Sequence, residues 1–350
     1  MATQRLALRI VNWQRTHGRN ELPWQNTRDP YRVWLSEIML QQTQVTTVID
    51  YYHRFVERFP SVKSLANADI DEVLALWAGL GYYARARNLH ACAKTVVDLW
   101  QGEFPELAAD LETLPGIGAS TAAAIAAFCH GQRVAILDGN VKRVLTRYFA
   151  IRDDITLTAT NRRLWEIAQN EVPSHQLISA QPDAMARYTQ GMMDLGATVC
   201  TRHKPKCKQC PVQQHCLANE LGVPEEFPVK TVKRRDKPVR DLNLLWLTVN
   251  GHVLLEKRPD QGIWGGLWCL PTDTNICSQL GLGAAVPMAS FAHELTHFRM
   301  VITPWRLHHA AASQTFQTLN KNQRWVPLLS LDGYGLPKPV RALLAGIDDR

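Results

Sequence analysis

Cys200, Cys207, Cys210 and Cys216 follow one another as C-x6-C-x2-C-x5-C, and this spacing restricts the chain more tightly than any other feature. Four thiols in so short a segment pair as disulfides, hold zinc, or wrap a four-iron, four-sulfur cluster. Disulfides belong to exported chains, and the N-terminus Met1-Ala2-Thr3-Gln4-Arg5-Leu6 has no signal-peptide core. Zinc sites built from four cysteines usually bring two C-x2-C knuckles, whereas only Cys207 and Cys210 make one here. The spacing therefore favours a cluster, with zinc as the alternative. The interval Thr201-Arg202-His203-Lys204-Pro205-Lys206 is held at both ends. Its Arg202, Lys204 and Lys206 either face a phosphate backbone or form a solvated charge run.

A chain of 350 residues is expected to form two domains, each large enough for its own core. The formal charge of +7 favours a polyanionic partner. No apolar stretch approaches a membrane span, so a cytoplasmic protein without membrane contact is expected. The remaining cysteines, Cys92, Cys129, Cys269 and Cys277, are scattered and read as ordinary thiols.

Hydrophobic periodicity divides the chain. Up to about residue 220 the pattern is helical: Leu6, Ile10 and Trp13 share a face, and Val45, Val48, Ile49, Tyr52, Phe55, Val56 and Phe59 make a longer stripe. Further helical patterns begin near Asp69, Tyr83, Ala119, Asn140, Asn161 and Asp183. Residues 224–241 carry three prolines with Lys230, Lys233, Arg234, Arg235, Lys237 and Arg240, the composition of an exposed basic linker. Beyond it Leu245, Leu247 and Val249 alternate, and Asn250-Gly251 precedes Val253–Leu255, a hairpin signal because both turn positions need positive φ. A mixed α and β domain is expected there, ending in a helix over 338–346.

Leu114-Pro115-Gly116-Ile117-Gly118 leads into an alanine-rich helix near Ala119. The glycines Gly116 and Gly118 strip side chains from a tight turn, and N–H groups beside a helix N-terminus suit a DNA phosphate. This is the helix-hairpin-helix pattern, with a plain helix–helix turn as the competing reading. Twenty residues on, Asp138 follows an apolar run and opens a helix, where it caps the helix, offers a fixed anion to a cationic transition state, or does both. Glu37 lies in the nearly apolar segment Val33–Leu40. It either turns to solvent or a cation, or stays buried with a raised pKa, as a general acid requires. Gln41–Gln44 and the Gly79-Leu80-Gly81-Tyr82-Tyr83 loop, with Arg85 and Arg87, offer amides and an aromatic that either probe bases or are loop polarity and core.

Taken in this order, the hairpin, Asp138 and the cysteine pattern resemble the endonuclease III superfamily of DNA glycosylases, and within it the MutY family of adenine DNA glycosylases. The resemblance covers nearly the whole chain. It rests on Leu22-Pro23-Trp24, the segment Trp34–Gln44, Gly79–Arg87, Ile136–Val141, the cysteines, and Gly262–Trp268 in the second half. It implies an all-α helix-hairpin-helix glycosylase core with one [4Fe-4S] cluster per chain, followed by an α+β Nudix-like domain. By that pattern the helical region is 1–223: a six-helix barrel module at about 22–134 and an iron–sulfur module at 1–21 plus 135–223. The linker is then 224–241 and the Nudix-like domain 242–350. The implied activity is excision of adenine mispaired with 8-oxoguanine or guanine in duplex DNA by a monomer.

The resemblance also implies roles. Glu37 is the acid/base catalyst, Asp138 the electrostatic partner, and Asn140 the residue that positions the sugar or Asp138. Trp24, Leu40 and Ser120 line the adenine pocket. Gln42 and Tyr82 enter the base stack, and Gly116, Gly118, Lys142 and Arg143 meet the DNA. In the lyase branch the hairpin is followed by a nucleophilic Lys, but position 120 holds Ser, which cannot form a Schiff base. A monofunctional glycosylase is therefore expected, ahead of an endonuclease III-like enzyme for oxidised pyrimidines or a non-catalytic iron–sulfur DNA-binding module. The Nudix-like half lacks a glutamate-rich metal box after Gly266, so nucleotide hydrolysis is not expected. By analogy it reads 8-oxoguanine through His293, Leu295, Thr296 and His297, although the commoner family form has Phe-Ser-His where this chain has Leu295-Thr296-His297.

Overall fold

The computed structural model describes residues 4–25, 27–231, 237–309, 318 and 320–346. Met1–Thr3 and the linker cations Lys233, Arg234 and Arg235 lie outside the described residues.

Helices come first along the chain: α1 (Gln4–His17), α2 (Pro30–Leu40), α3 (Val45–Arg58), α4 (Val62–Ala66), α5 (Ile70–Trp77), α6 (Ala84–Trp100), α7 (Ala108–Leu111), α8 (Ala119–His130), α9 (Gly139–Tyr148), α10 (Thr158–Asn170), α11 (His175–Ala180), α12 (Ala184–Asp194) and α13 (Leu217–Glu220). A π turn, Leu195–Val199, carries α12 on to Cys200. Their starts follow local chemistry. Asp29 caps α2 by accepting the Tyr31 N–H, with Pro30 in the first turn where its missing N–H costs nothing. Asp138 caps α9 in the same way through the Val141 N–H. Leu6, Ile10 and Val11 of α1, Val141, Val144 and Leu145 of α9, and Tyr188 and Met192 of α12 meet in one buried core.

The described contacts divide the chain into two compact units. One joins Met1–Ala66 to Ala91–Lys233, and the other joins Asn67–His90 to Arg234–Arg350. The segment 67–90, helical and early in the chain, thus packs with the C-terminal half, a grouping that periodicity does not reveal.

In the second unit a mixed sheet is built from β1 (Val239–Val249), β2 (His252–Lys257), β3 (Trp268–Cys269), β4 (Val286–Pro287), β5 (Phe291–Glu294), β6 (Arg299–His309) and β7 (Gln323–Pro327). The order is β3-β2-β1-β6-β4, with β5 also on β6 and β7 on β2; β1 and β6 run parallel and the other pairs antiparallel. Asn250 and Gly251 take φ of 46° and 74° at the β1–β2 turn, as that dipeptide predicts. Both faces of the sheet are covered. Leu244, Trp246, Val253 and Ile302 pack with Val340 and Leu344 of the final helix α15 (Lys338–Ala345). Leu245, Leu247 and Leu254 pack with Ile276 and Cys277 of the short helix α14 (Ile276–Gln279).

Candidate active site

Helix α2 is buried on most of its circumference: Tyr31, Val33, Trp34, Leu35, Ser36, Ile38 and Met39 are all inside. Glu37 has little alternative to facing a cavity. It keeps a partly open side toward a groove of about 840 Å³. That groove is also lined by Arg19, Leu40, Gln41, Gln42, Ser120, Asp138 and Asn140. Burial, reinforced by the charge of Asp138, raises the Glu37 pKa from 4.5 to about 7. A carboxyl in that range holds its proton near neutrality and can give it up.

Asp138 is fixed from two sides. One oxygen accepts the Val141 N–H at 2.8 Å and the other the Asn140 Nδ2 at 3.1 Å. The preceding segment is pinned where the Leu137 N–H donates to Ser120 Oγ at 3.1 Å, so Ser120 serves the backbone beside Asp138. Asn140 is held in turn by Arg143, whose Nη2 donates to Asn140 Oδ1 at 2.9 Å and to the Gly196 carbonyl at 2.5 Å. Arg143 Nε donates to the Cys200 carbonyl at 2.8 Å. Nη1 donates to the Gly139 carbonyl at 3.4 Å on the exposed side, so Arg143 braces Asn140 and the Cys200 turn from within while one edge of its guanidinium faces outward. One turn on, Arg147 donates to the Thr201 carbonyl at 2.7 Å, the Arg202 carbonyl at 3.1 Å and Cys200 Sγ at 3.3 Å. Gly196 is required where α9 meets the π turn, since a Cβ there would stand 2.5 Å from Asn140 Cβ.

The four cysteines line one small cavity, together with Arg147, Val199, Pro205 and Pro224, and all four are free thiols. Among the described residues, no group of three or more His, Cys, Asp or Glu converges closely enough for a single metal ion. Four thiols on one cavity supply the donor set of a four-thiolate metal or iron–sulfur site.

Not every expected pocket residue shares the groove. Trp24 lines a neighbouring cavity of about 450 Å³ with Gln25, Ser36, Arg28, Arg187 and Gln190. Gln25 Nε2 is buried there without a hydrogen-bond partner. Arg19, Gln25 and Gln190 were not singled out from the sequence. Arg19 donates from its backbone N–H and Nε to buried Asp194, at 2.9 and 2.6 Å, a partner 175 positions away that no local pattern reveals.

Gln42 and Tyr82 both adopt left-handed backbone, φ 58° and 51°. For residues other than glycine this is sparsely populated and clusters at functional loops. Gly116 is also left-handed, and a Cβ at Gly118 would meet open space, leaving the hairpin accessible. In the C-terminal unit the Leu295 N–H donates to the Phe298 carbonyl, closing a turn between β5 and β6 with Thr296 and His297 exposed. Leu295 packs on the core, while the His293 ring lies 6.1 Å from that of Trp264, its pKa lowered by burial and by Lys338. No helix among the described residues is long and apolar enough to cross a membrane.

The model of the HhH-GPD superfamily of base excision DNA repair proteins matches residues 35–170, and that of the NUDIX domain residues 243–346. A solved thermostable thymine-DNA glycosylase is similar at 28% identity and a TM-score of 0.54, over 61% of this chain and 95% of that one. An endonuclease III solved in a non-covalent DNA complex shares the fold at 19% identity and a TM-score of 0.50, over 62% of this chain and 94% of that one. Fold and site together define a base excision DNA glycosylase of the helix-hairpin-helix class, an enzyme that hydrolyses N-glycosyl bonds. The adenine DNA glycosylase of Buchnera aphidicola subsp. Acyrthosiphon pisum is 36% identical, covering 96% of this chain and 95% of its own. The human adenine DNA glycosylase is 43% identical over 76% of this chain and 57% of its own. The chain belongs to the adenine DNA glycosylase family.

Proposed function

We propose that this enzyme removes adenine mispaired with 8-oxoguanine, or with guanine, from duplex DNA. The observation that carries the reading is Glu37, its pKa raised to about 7, in one groove with a doubly hydrogen-bonded Asp138. The nucleotide is flipped out of the stack at a cost of a few kcal/mol. Glu37 gives its proton to adenine N7, and the C1′–N9 bonding pair leaves with the neutral base. Asp138 stabilises the oxocarbenium ion at C1′. Water then adds at C1′ and returns a proton to Glu37, giving free adenine and an abasic site. Ser120 offers no amine, so the strand stays intact until base or heat is applied. The cavity of Trp24 and Gln25 supports a place for the extruded base, beside the groove that takes the sugar.

Cys200, Cys207, Cys210 and Cys216 hold a [4Fe-4S] cluster in this reading, supported by the shared cavity. With that group bound, Cys200 and Cys207 would be tied together and the loop between them held, so that Arg202, Lys204 and Lys206 would present one basic surface to DNA. Tyr82 and Gln42 probe the stack, Gly116, Gly118 and Lys142 meet the backbone, and Thr296 and His297 read the lesion strand. The enzyme acts as a monomer.

Single-turnover excision on an A·8-oxoguanine duplex, with alkali to reveal abasic sites, tests the reading. Excision is expected with wild type and slowed by about a hundredfold or more with Glu37→Gln, while the mispair is still bound. Excision by Glu37→Gln within tenfold of wild type would remove Glu37 from the acid role. Anaerobically purified protein is expected to carry about four irons per chain. Stoichiometric zinc instead would overturn the cluster.

A further inference from the structure

Tyr82 sits on a strained loop whose supports come from two directions. Its φ of 51° follows left-handed Gly79 and Gly81, and such backbone in a non-glycine residue persists only where the surroundings over-determine it. The loop's own neighbours supply part of that. Trp77 Nε1 donates to the Gly81 carbonyl at 3.1 Å, and Arg85 Nη2 to the Leu80 and Gly81 carbonyls at 3.4 and 3.2 Å. The Arg85 guanidinium lies 5.5 Å from the centroid of the Tyr82 ring.

The other supports come from residues more than 170 positions later. The Tyr83 hydroxyl accepts the Gly79 N–H at 3.4 Å and donates to the Leu336 carbonyl at 3.3 Å, clamping the two ends of the loop to the C-terminal half. Arg87 Nη1 donates to the Gly265 carbonyl at 2.5 Å. At the start of α5, Asp71 accepts Lys257 Nζ at 2.6 Å and Trp268 Nε1 at 3.1 Å. The packing is tight: a Cβ on Gly335 would stand 2.9 Å from Leu74 Cβ and 3.0 Å from the Leu74 carbonyl carbon. The receiving side is itself anchored, because the Trp268 N–H donates to the Gly335 carbonyl at 3.1 Å and both Trp268 and Leu336 are buried.

We propose that the C-terminal half positions the probing loop, with Leu336, Gly265, Lys257 and Trp268 acting through Tyr83, Arg87 and Asp71 to fix where Tyr82 stands. This deepens the function proposed above and rests on Tyr82 as the stack probe. It gives the C-terminal half a second route to lesion specificity, separate from the turn that carries Thr296 and His297. These are positioning residues, and none of them needs to touch the lesion.

The test uses the full chain with Tyr83→Phe, which removes one hydroxyl, and Gly335→Leu, which wedges the contact from the other side. Hydrogen exchange of the amides of residues 79–85 is read beside the unfolding temperature. Single-turnover excision is compared between A·8-oxoguanine and A·G duplexes, with and without Tyr82→Leu. Loop exchange is expected to rise about tenfold in Tyr83→Phe at unchanged unfolding temperature, and in Gly335→Leu with a lowered one, and the A·8-oxoguanine preference to fall by a similar factor in both. In the Tyr82→Leu background the same changes should cost no further preference. Unchanged loop exchange in both variants would overturn the brace, as would a preference loss of equal size without Tyr82. If Tyr82→Leu alone leaves the preference intact, the probe reading falls instead, and loop exchange still decides the brace.

Discussion

The groove of Glu37 and Asp138 and the turn at residues 295–298 hold their polar side chains in opposite ways. Glu37 lies on a helix buried nearly all round, and Asp138 is tied by an N–H, by Asn140 and, through Asn140, by Arg143. Thr296 and His297 stand exposed on a four-residue turn, anchored below by Leu295 and by Lys237 Nζ on the Leu295 carbonyl at 2.8 Å. A group that must move a proton or meet a transient cation needs desolvation and a fixed direction, because its effect depends on local dielectric and on sub-ångström placement. A group that recognises a base already in a duplex needs access, and each of its hydrogen bonds replaces one to water. The first region should therefore respond steeply to single-atom changes and the second gently and selectively.

The largest effects belong to the groove. Glu37→Gln should lower the single-turnover rate by about 10²–10⁴-fold. Asp138→Asn should lower it by about 10²–10³-fold, since a neutral amide does not stabilise the oxocarbenium ion. Losses below tenfold for both would erase the contrast between the regions. The pH profile sharpens it. With the Glu37 pKa raised to about 7 and the protonated form active, the rate should be level below about pH 7 and fall about tenfold per unit above it. A rate that rises through that range would reverse the assignment.

The same burial has a stability consequence of opposite sign. Because the folded-state pKa lies above the ordinary 4.5, charged Glu37 is penalised in the fold. The penalty is absent below pH 4.5, grows between 4.5 and about 7, and is complete above, at up to about 3 kcal/mol. Glu37→Gln should raise the unfolding temperature at pH 8 and leave it nearly unchanged at pH 4. A variant less stable than wild type at pH 8 would show that the carboxylate is stabilised by groups other than those described.

Gly196→Ala tests the joint between the groove and the cysteine loop. Its new methyl would stand 2.5 Å from Asn140 Cβ, so a loss of about 1–3 kcal/mol in thermal or denaturant unfolding is expected, with slower excision. Wild-type stability and rate would mean that α9 and the π turn separate freely. The smallest effect belongs to the exposed turn. Thr296→Ala with His297→Ala should weaken A·8-oxoguanine binding by about 1–3 kcal/mol and A·G binding much less, by analogy with base-edge contacts. Equal weakening of both duplexes would make the turn a general phosphate contact.

Much of this was legible in the residues. The 3.6-residue periodicity marked the helices, Asn250-Gly251 marked the first hairpin, and the cysteine spacing marked a thiol cage, because each is set by neighbours a few positions apart. The setting of Glu37 was not legible in this way: the apolar segment allowed a turn to solvent as readily as burial, and the packing around α2 decided it. What only tertiary structure decided involves residues far apart in sequence. It turned Arg143 inward onto Gly196 and Cys200, placed Trp24 in a cavity beside the groove, and paired Arg19 with Asp194. It also packed residues 67–90 with a half of the chain that begins beyond residue 233. Periodicity states which face of an element is apolar and capping states where it begins, but neither names the partner that covers it. That choice is made by packing and charge pairing across the whole fold, where shape and unmet hydrogen bonds select one arrangement among many that the local pattern allows.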